Sequence, residues 1–340
     1  MVVLKLGQAP QPKQLPNLRS KPSFASLYAA LECLALQPDS WTGTPKSQDP
    51  EGLDPKFVNQ YLLSIVSSEL TWFQDGSEDV MVLDRRDKIW ELASKRMAER
   101  CGRTAMPEMT RTWLIPAPIT GSSLAFTIRE PPLTGDNLGF KTWGTAFTMA
   151  QKLDDLRTKH LSHLFNEQTP SIRALELGSG TGLVGIAAAA LWSIPVLLTD
   201  LPEIQVNLSY NVLQNTQLVE AQGGRIISTV LDWNDPSAFP IHDFEIIMAA
   251  DPMYDDAHPE LVAHMIETFL KRNEDARALI AVPLRDQKTK QMTATFQEVM
   301  TGKGFSLLAQ GQEICRDDWK ENDVEETGAG CWWAIWSWAR

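Results

Sequence analysis

The sequence predicts an α/β fold: a seven-stranded, largely parallel sheet that ends in an antiparallel pair, preceded by a helical extension. Three observations carry this expectation. From residue 172 onward, short apolar runs alternate with helical patterns of roughly 10–16 residues, as parallel strands alternate with crossover helices. The first run, Ile172 to Leu177, breaks into the turn Gly178-Ser179-Gly180-Thr181-Gly182 and then an alanine-rich helix, Leu183 to Leu191. The last two runs, 305–310 and 331–338, are joined by a polar loop with no helical pattern, which fits an antiparallel pair at the end of the sheet.

At 340 residues the chain is long for one domain, so a core domain plus an extension is expected. Hydrophobic residues make up 43%, enough for a substantial core. Basic residues number 31 against 43 acidic, a net charge of −12, and no basic cluster stands out. That balance argues against general nucleic-acid binding and against anionic membrane surfaces; it suits a basic protein partner or a plain acidic enzyme. Cys33, Cys101, Cys315 and Cys331 are scattered with no CxxC pair, so neither a zinc knuckle nor a disulfide framework is expected, and a reducing compartment fits. The N-terminus lacks the apolar run of a signal peptide, and the stretch Leu183 to Leu198 is interrupted by Pro195. The expectation is a soluble, monomeric, cytoplasmic protein, with the nucleus as the alternative compartment.

In chain order, residues 1–22 carry Pro10, Pro12, Pro16 and Pro22 among polar residues and read as a flexible lead-in. Apolar residues at helical spacing follow over 23–36 (Phe24, Leu27, Leu31, Leu34), 55–72 (Val58, Leu62, Ile65) and 79–100. Lys95, Arg96 and Arg100 close the third helix, where cations suit the dipole. This helical extension, 23–110, holds no chemical motif and reads as a structural cap. The main domain, 111–340, opens with apolar/polar alternation over 112–119 and 123–129 around Thr120-Gly121, a hairpin. Strands are expected at 172–177, 195–199, 225–231, 244–250, 276–283, 305–310 and 331–338, and helices at 182–192, 202–216, 258–272 and 286–301. In the last strand, alternation sends Trp332, Trp336 and Trp338 to one face and Trp333 to the other, either packed in the sheet or offered to a partner. The acidic loop from Asp317 to Glu326 is a solvated face by default; holding a basic substrate segment is the alternative.

Two ligand classes compete for the glycine turn. Gly180, Gly182 and Gly185 satisfy GxGxxG, so a dinucleotide must be weighed. Glu176, at the end of the first strand, would repel a pyrophosphate and favour a cationic ligand such as the ammonium of S-adenosylmethionine. Gly185 also falls deeper into the helix than a pyrophosphate turn needs. Asp200, ending the second strand, can accept both hydroxyls of a ribose, or it can cap the helix that begins at Pro202. Asp232-Trp233, ending the third strand, fits an adenine, with Trp233 packed on the base and Asp232 accepting its amino group; a turn Asp beside a core-edge Trp is the other reading. The fourth strand should lie beside the first at the topological switch, where ligands bind, so Asp251 and Tyr254 face the methyl-donor end. His160 and His163 share helical spacing but have no third ligand nearby, so no metal is expected.

Taken together, LELGSGTGLVGIAAAALW, LLTDLPEIQVNLSYNV, LDW and FEIIMAADPMY resemble the seven-β-strand, METTL21-type protein-lysine methyltransferases, with the greatest likeness to their fungal elongation-factor branch. The resemblance covers residues 138–340. It implies a Rossmann-like class I methyltransferase fold and S-adenosylmethionine contacts at Trp143, Gly178, Ser179, Gly180, Asp200, Trp233 and Ala250. It places the family's Asp-x-x-Tyr signature on Asp251 and Tyr254 as catalytic residues, and it implies a lysine-bearing protein substrate. A small-molecule methyltransferase and a non-catalytic, NAD-binding module stay open as alternatives.

Methyl transfer to lysine is mostly positioning, but it has a charge problem. With a free pKa of about 10.4, roughly one lysine in a few thousand is the neutral nucleophile at pH 7. An apolar channel and a nearby sulfonium both disfavour ammonium, so no dedicated base is expected. Asp251, or carbonyls beside it, would orient the amine while Tyr254 walls the slot.

Overall fold

The computed structural model describes residues 15–35, 53–73, 80–100, 107–117, 121–133, 138–166, 172–239, 243–315 and 330–339. The acidic loop Asp317–Glu326 lies outside these residues. The chain divides into two compact units, Met1–Pro107 and Glu108–Arg340.

The first unit is helical. Helix α1 (Phe24–Cys33) starts where Ser23 accepts the Ser26 N–H at 3.2 Å, and α2 (Pro55–Val66) where Asp54 accepts the Lys56 N–H at 2.9 Å, with Pro55 already set for the first turn. Leu27, Leu31, Leu34, Val58, Leu62 and Ile65 from these two helices meet Ile89 and Ala93 of α3 (Val80–Ala98) in a closed apolar core. Helix α2 stops six residues short of the expected Trp72. Leu70 takes φ +47, a left-handed backbone that no helix can continue, and Thr71–Phe73 forms a separate 3₁₀ turn. The basic end of α3 serves a neighbour as well as itself. Arg96 Nε donates to Leu31 O at 2.7 Å and Arg100 to Leu34 O at 2.8 Å, satisfying carbonyls that the end of α1 leaves open.

The second unit opens with the hairpin β1 (Met109–Ala117) and β2 (Ser122–Glu130), paired antiparallel with Trp113 opposite Phe126. Helix α4 (Gly144–Leu156) leads into the sheet, whose elements alternate as expected. They are β3 (Ala174–Leu177), α5 (Leu183–Trp192), β4 (Pro195–Asp200), α6 (Pro202–Ala221), β5 (Arg225–Val230), β6 (Ile246–Ala250), α7 (His258–Phe269), β7 (Arg277–Leu284), α8 (Gln287–Gly302), β8 (Phe305–Ile314) and β9 (Gly330–Trp338). Strand order is β5-β4-β3-β6-β7-β9-β8, parallel from β5 to β7, with β9 antiparallel to both of its neighbours. The order reverses between β3 and β6, which opens a crevice at their carboxyl ends.

Strand β9 is packed within the sheet. Trp332 and Trp336 are buried in the main core with Ile247, Phe296 and Phe305, and Trp338 packs at its margin. Trp333 faces the other way over Gly311, where a Cβ would come within 2.7 Å of the indole. The two histidines at helical spacing serve structure: His163 Nε2 lies 2.9 Å from Asp275 O, and the His160 ring packs near Trp333. No group of three or more potential metal ligands occurs among the described residues.

One device was not anticipated from the sequence. Asn207, Asn211 and Asn215 form a buried stripe down α6. Asn215 Oδ1 accepts the Thr127 N–H at 3.0 Å and Asn211 Oδ1 the Arg129 N–H at 2.8 Å, while the Asn amides return hydrogen bonds to Thr127 O and Arg129 O. The outer edge of β2 is thus paired with side chains in place of another strand.

Candidate active site

The site grows out of the β3–α5 turn. Gly178, Gly180 and Gly182 all take positive φ (61°, 54° and 89°), a backbone that side-chain-bearing residues rarely adopt. Ser179 ties the turn to β4: its N–H donates to Thr199 O at 2.9 Å and its Oγ accepts the Thr199 N–H at 3.0 Å. At the end of β4, Asp200 Oδ2 accepts the Gly180 N–H at 2.6 Å and Oδ1 accepts the Leu201 N–H at 2.8 Å. Asp200 therefore does not cap α6, whose N-cap is Leu201 with no side-chain hydrogen bond. Burial raises the Asp200 pKa, and the two N–H groups pull against that shift.

A cleft of about 450 Å³ opens above this turn, within the size range of small-molecule sites. Trp143, Gly178, Ser179, Gly180, Asp200, Asp232, Trp233, Ala250, Asp251 and Tyr254 all line it. Glu176 does not. It lies beneath the turn against α5, where a Cβ on Gly185 would come within 2.5 Å of its Oε2. Burial pushes its carboxyl up to about 8, partly offset by Ser179 and the Gly185 N–H. Glu176 thus sits outside the residues that line the cleft, with burial holding its carboxyl well above the ordinary range. The third glycine of GxGxxG makes room for that acid.

The remaining walls come from distant segments. Trp233 lies over the turn, so close that a Cβ on Gly178 would be 3.1 Å from its ring. Asp232 Oδ1 is engaged locally, accepting the Asn234 N–H at 2.8 Å, which is the turn reading of that residue; the side chain still borders the cleft. Trp143 donates its indole N–H to Leu138 O at 3.1 Å. Its ring centre lies 5.2 Å from Lys141 Nζ and 5.1 Å from Arg285 Cζ, two cation–π contacts on one indole. A buried relay holds this loop to the turn. Thr142 and Thr181 join hydroxyls at 2.7 Å, Asn211 Nδ2 donates to Thr181 O at 2.9 Å, and the Thr142 N–H reaches Glu130 at 3.2 Å.

Across the cleft, Asp251 takes φ +56, strained for a residue other than glycine, and its N–H donates to Ala281 O at 2.8 Å. Its Oδ2 accepts from the Arg285 guanidinium at 2.7 Å. Tyr254 is half exposed, with its ring packed edge-on against His258 at 4.2 Å. His258 Nδ1 accepts the N–H groups of Tyr254 and Asp255, both at 3.3 Å, and burial lowers its pKa. A neutral ring with its proton on Nε2 satisfies that pattern. Lys141, His258 and Arg285 are among the lining side chains the sequence reading missed; only the spacing of His258 after Tyr254, one helical turn on, hinted at one of these three.

Comparison with known proteins places this geometry. A lysine methyltransferase family model matches residues 123–301. The chain is 30% identical over 310 residues to the protein-lysine N-methyltransferase rrg1 of Schizosaccharomyces pombe, covering 89% of this chain and 92% of that protein. It is 37% identical over 242 residues to the protein-lysine N-methyltransferase EFM2 of Saccharomyces cerevisiae, covering 66% of this chain and 55% of that protein. Over 96 residues it is 36% identical to EEF1A lysine methyltransferase 3 of Xenopus tropicalis, 26% of this chain and 38% of that one. The glycine turn, the Asp251–Tyr254 segment and the parallel strands that carry them all fall inside the family match, and the chain belongs to that lysine methyltransferase family.

Proposed function

We propose that the chain transfers a methyl group from S-adenosylmethionine to the ε-amine of a lysine on a cytosolic protein, a translation elongation factor. The elongation factor is supported by the likeness to the Xenopus EEF1A lysine methyltransferase, and the cytosol by where such a substrate resides. The cofactor is supported by the chemistry of the cleft. The observation that carries the reading is the Asp200 carboxylate, anchored on the Gly180 N–H across one wall, with Asp251 and Tyr254 on the facing segment of the same cleft.

The residues present fit S-adenosylmethionine. Asp200 would accept the ribose hydroxyls, Trp233 would pack on the adenine beside Asp232, and the Gly178–Gly180 backbone, Ala250 and Trp143 would frame the amino-acid end. When bound, the cofactor supplies an electrophilic methyl group on a sulfonium. The chain's own work is then to position a neutral amine. Trp143 and Tyr254 exclude water from the slot, and Asp251 accepts an amine hydrogen bond. His258 is no free base, because its Nδ1 already accepts two backbone N–H groups. The departing proton goes to solvent.

Asp251→Ala and Tyr254→Ala should each abolish labelled-methyl transfer while binding S-adenosylhomocysteine within about threefold of the native chain by calorimetry. Normal methylation by both variants sinks this assignment of the catalytic segment.

A further inference from the structure

Arg285 belongs to no motif, yet it sits at the chemical end of the cleft. It follows directly on β7, donates to Asp251 Oδ2 at 2.7 Å and lies over Trp143. The Asp251 side chain is only 8% exposed, so water screens this pair weakly. A buried carboxylate standing alone beside the substrate would attract a lysine in its charged form. An ammonium has no lone pair and cannot attack a methyl group. The guanidinium, charged at every working pH, changes that balance.

We propose that Arg285 is a positioning residue for methyl transfer: it neutralises Asp251, so that the carboxylate orients the substrate lysine without holding it as an ammonium ion. The inference rests on the reading that Asp251 faces the ε-amine. The other groups near this point reinforce it. Lys141, on the same indole, adds positive charge. The Cys331 thiol of β9 is pushed up to about 12, chiefly by burial, and stays uncharged. The Tyr254 hydroxyl is raised by burial and by Asp200, so it too stays neutral, and His258 is neutral beside it. Asp200 is committed to the turn, Asp232 and Glu203 are further acids on the cleft lining, and Asp255 acts on Tyr254 and His258.

The test is a pH profile. Single-turnover transfer of tritiated methyl from S-adenosylmethionine, enzyme in excess, is followed from pH 6 to 9.5 on the lysate protein that the native chain labels. With Arg285→Gln, the half-maximal pH should rise by about one unit, the lower end of the effect of one neighbouring charge. The variant should then be about tenfold slow at neutral pH and close to native at pH 9.5. Arg285→Lys keeps the charge and should keep the native half-maximal pH even if its rate is lower. A uniform loss at every pH, or an unmoved profile in Arg285→Gln, overturns the proposal. Full activity of Asp251→Ala would overturn the underlying reading of the site instead, so the two failures are told apart.

Discussion

The two halves of the cleft are built by different means. The β3–β4 half is backbone: three glycines at positive φ, a serine sewn to Thr199, and Asp200 fastened to two N–H groups. The β6–β7 half is side chain: Arg285 on Asp251 and over the Trp143 indole, Tyr254 on His258. The first half is fixed by hydrogen bonds that join the glycine turn to the neighbouring strand. The second is held by charge and ring contacts, with Arg285 reaching back 34 residues to Asp251, and its tyrosine stands half in solvent. A rigid cradle beside a more adaptable acceptor wall suits an enzyme whose cofactor is constant and whose substrate is a large, approaching protein.

If that division is right, substitutions on the two sides should fail differently. Asp200→Ala removes a buried carboxylate from the cradle and leaves the Gly180 N–H unpaired. S-adenosylhomocysteine affinity should fall about 100-fold, near the upper end of what a charged hydrogen-bonding group contributes. Tyr254→Ala should leave that affinity almost unchanged. Equal losses of affinity in both variants would erase the distinction between the halves.

A smaller effect tests how the cradle is supported. Asn211 bonds both to β2 and to Thr181 O in the turn. Asn211→Ala should cost about 2 kcal/mol in urea unfolding of the main domain, because backbone groups of β2 and the turn lose buried partners. It should also weaken cofactor binding several-fold. An unchanged unfolding midpoint would show that water replaces the amide at no cost.

What the sequence made legible follows the same division. Strand ends, the glycine turn and Asp200 are local signals, and the expected strands and helices recur with ends shifted by a few residues. The antiparallel pair at the sheet's end was readable from a missing helical pattern. GxGxxG alone could not choose between ligands. The placement of Glu176 beneath the turn was not legible, because a strand residue's face cannot be judged without knowing which helix packs on it. Arg285 was invisible for a topological reason: β7 neighbours β6 in space, but 34 residues separate the pair it makes with Asp251. The asparagine stripe was visible as an i, i+4, i+8 repeat on α6. Its polar face reads as solvated until a strand edge is known to need partners.

Glu176 also yields the finest test of the comparison, because it belongs to the cradle without touching its contents. Its pKa is raised from an ordinary 4.5 to about 8, so between those values the folded chain binds a proton that the unfolded chain has released. Stability should therefore fall as pH rises from about 4.5 to 8. Gln copies the protonated acid and cannot ionise. Glu176→Gln should match the native melting temperature near pH 5 and exceed it by up to about ten degrees near pH 8, a difference of roughly 3 kcal/mol. Its affinity for S-adenosylhomocysteine should stay within about threefold of native at both pH values. A melting difference independent of pH would mean that the acid is already ionised in the folded chain. A large loss of affinity at neutral pH would return Glu176 to the cofactor, and the line between support and contact in this half of the cleft would have to be redrawn.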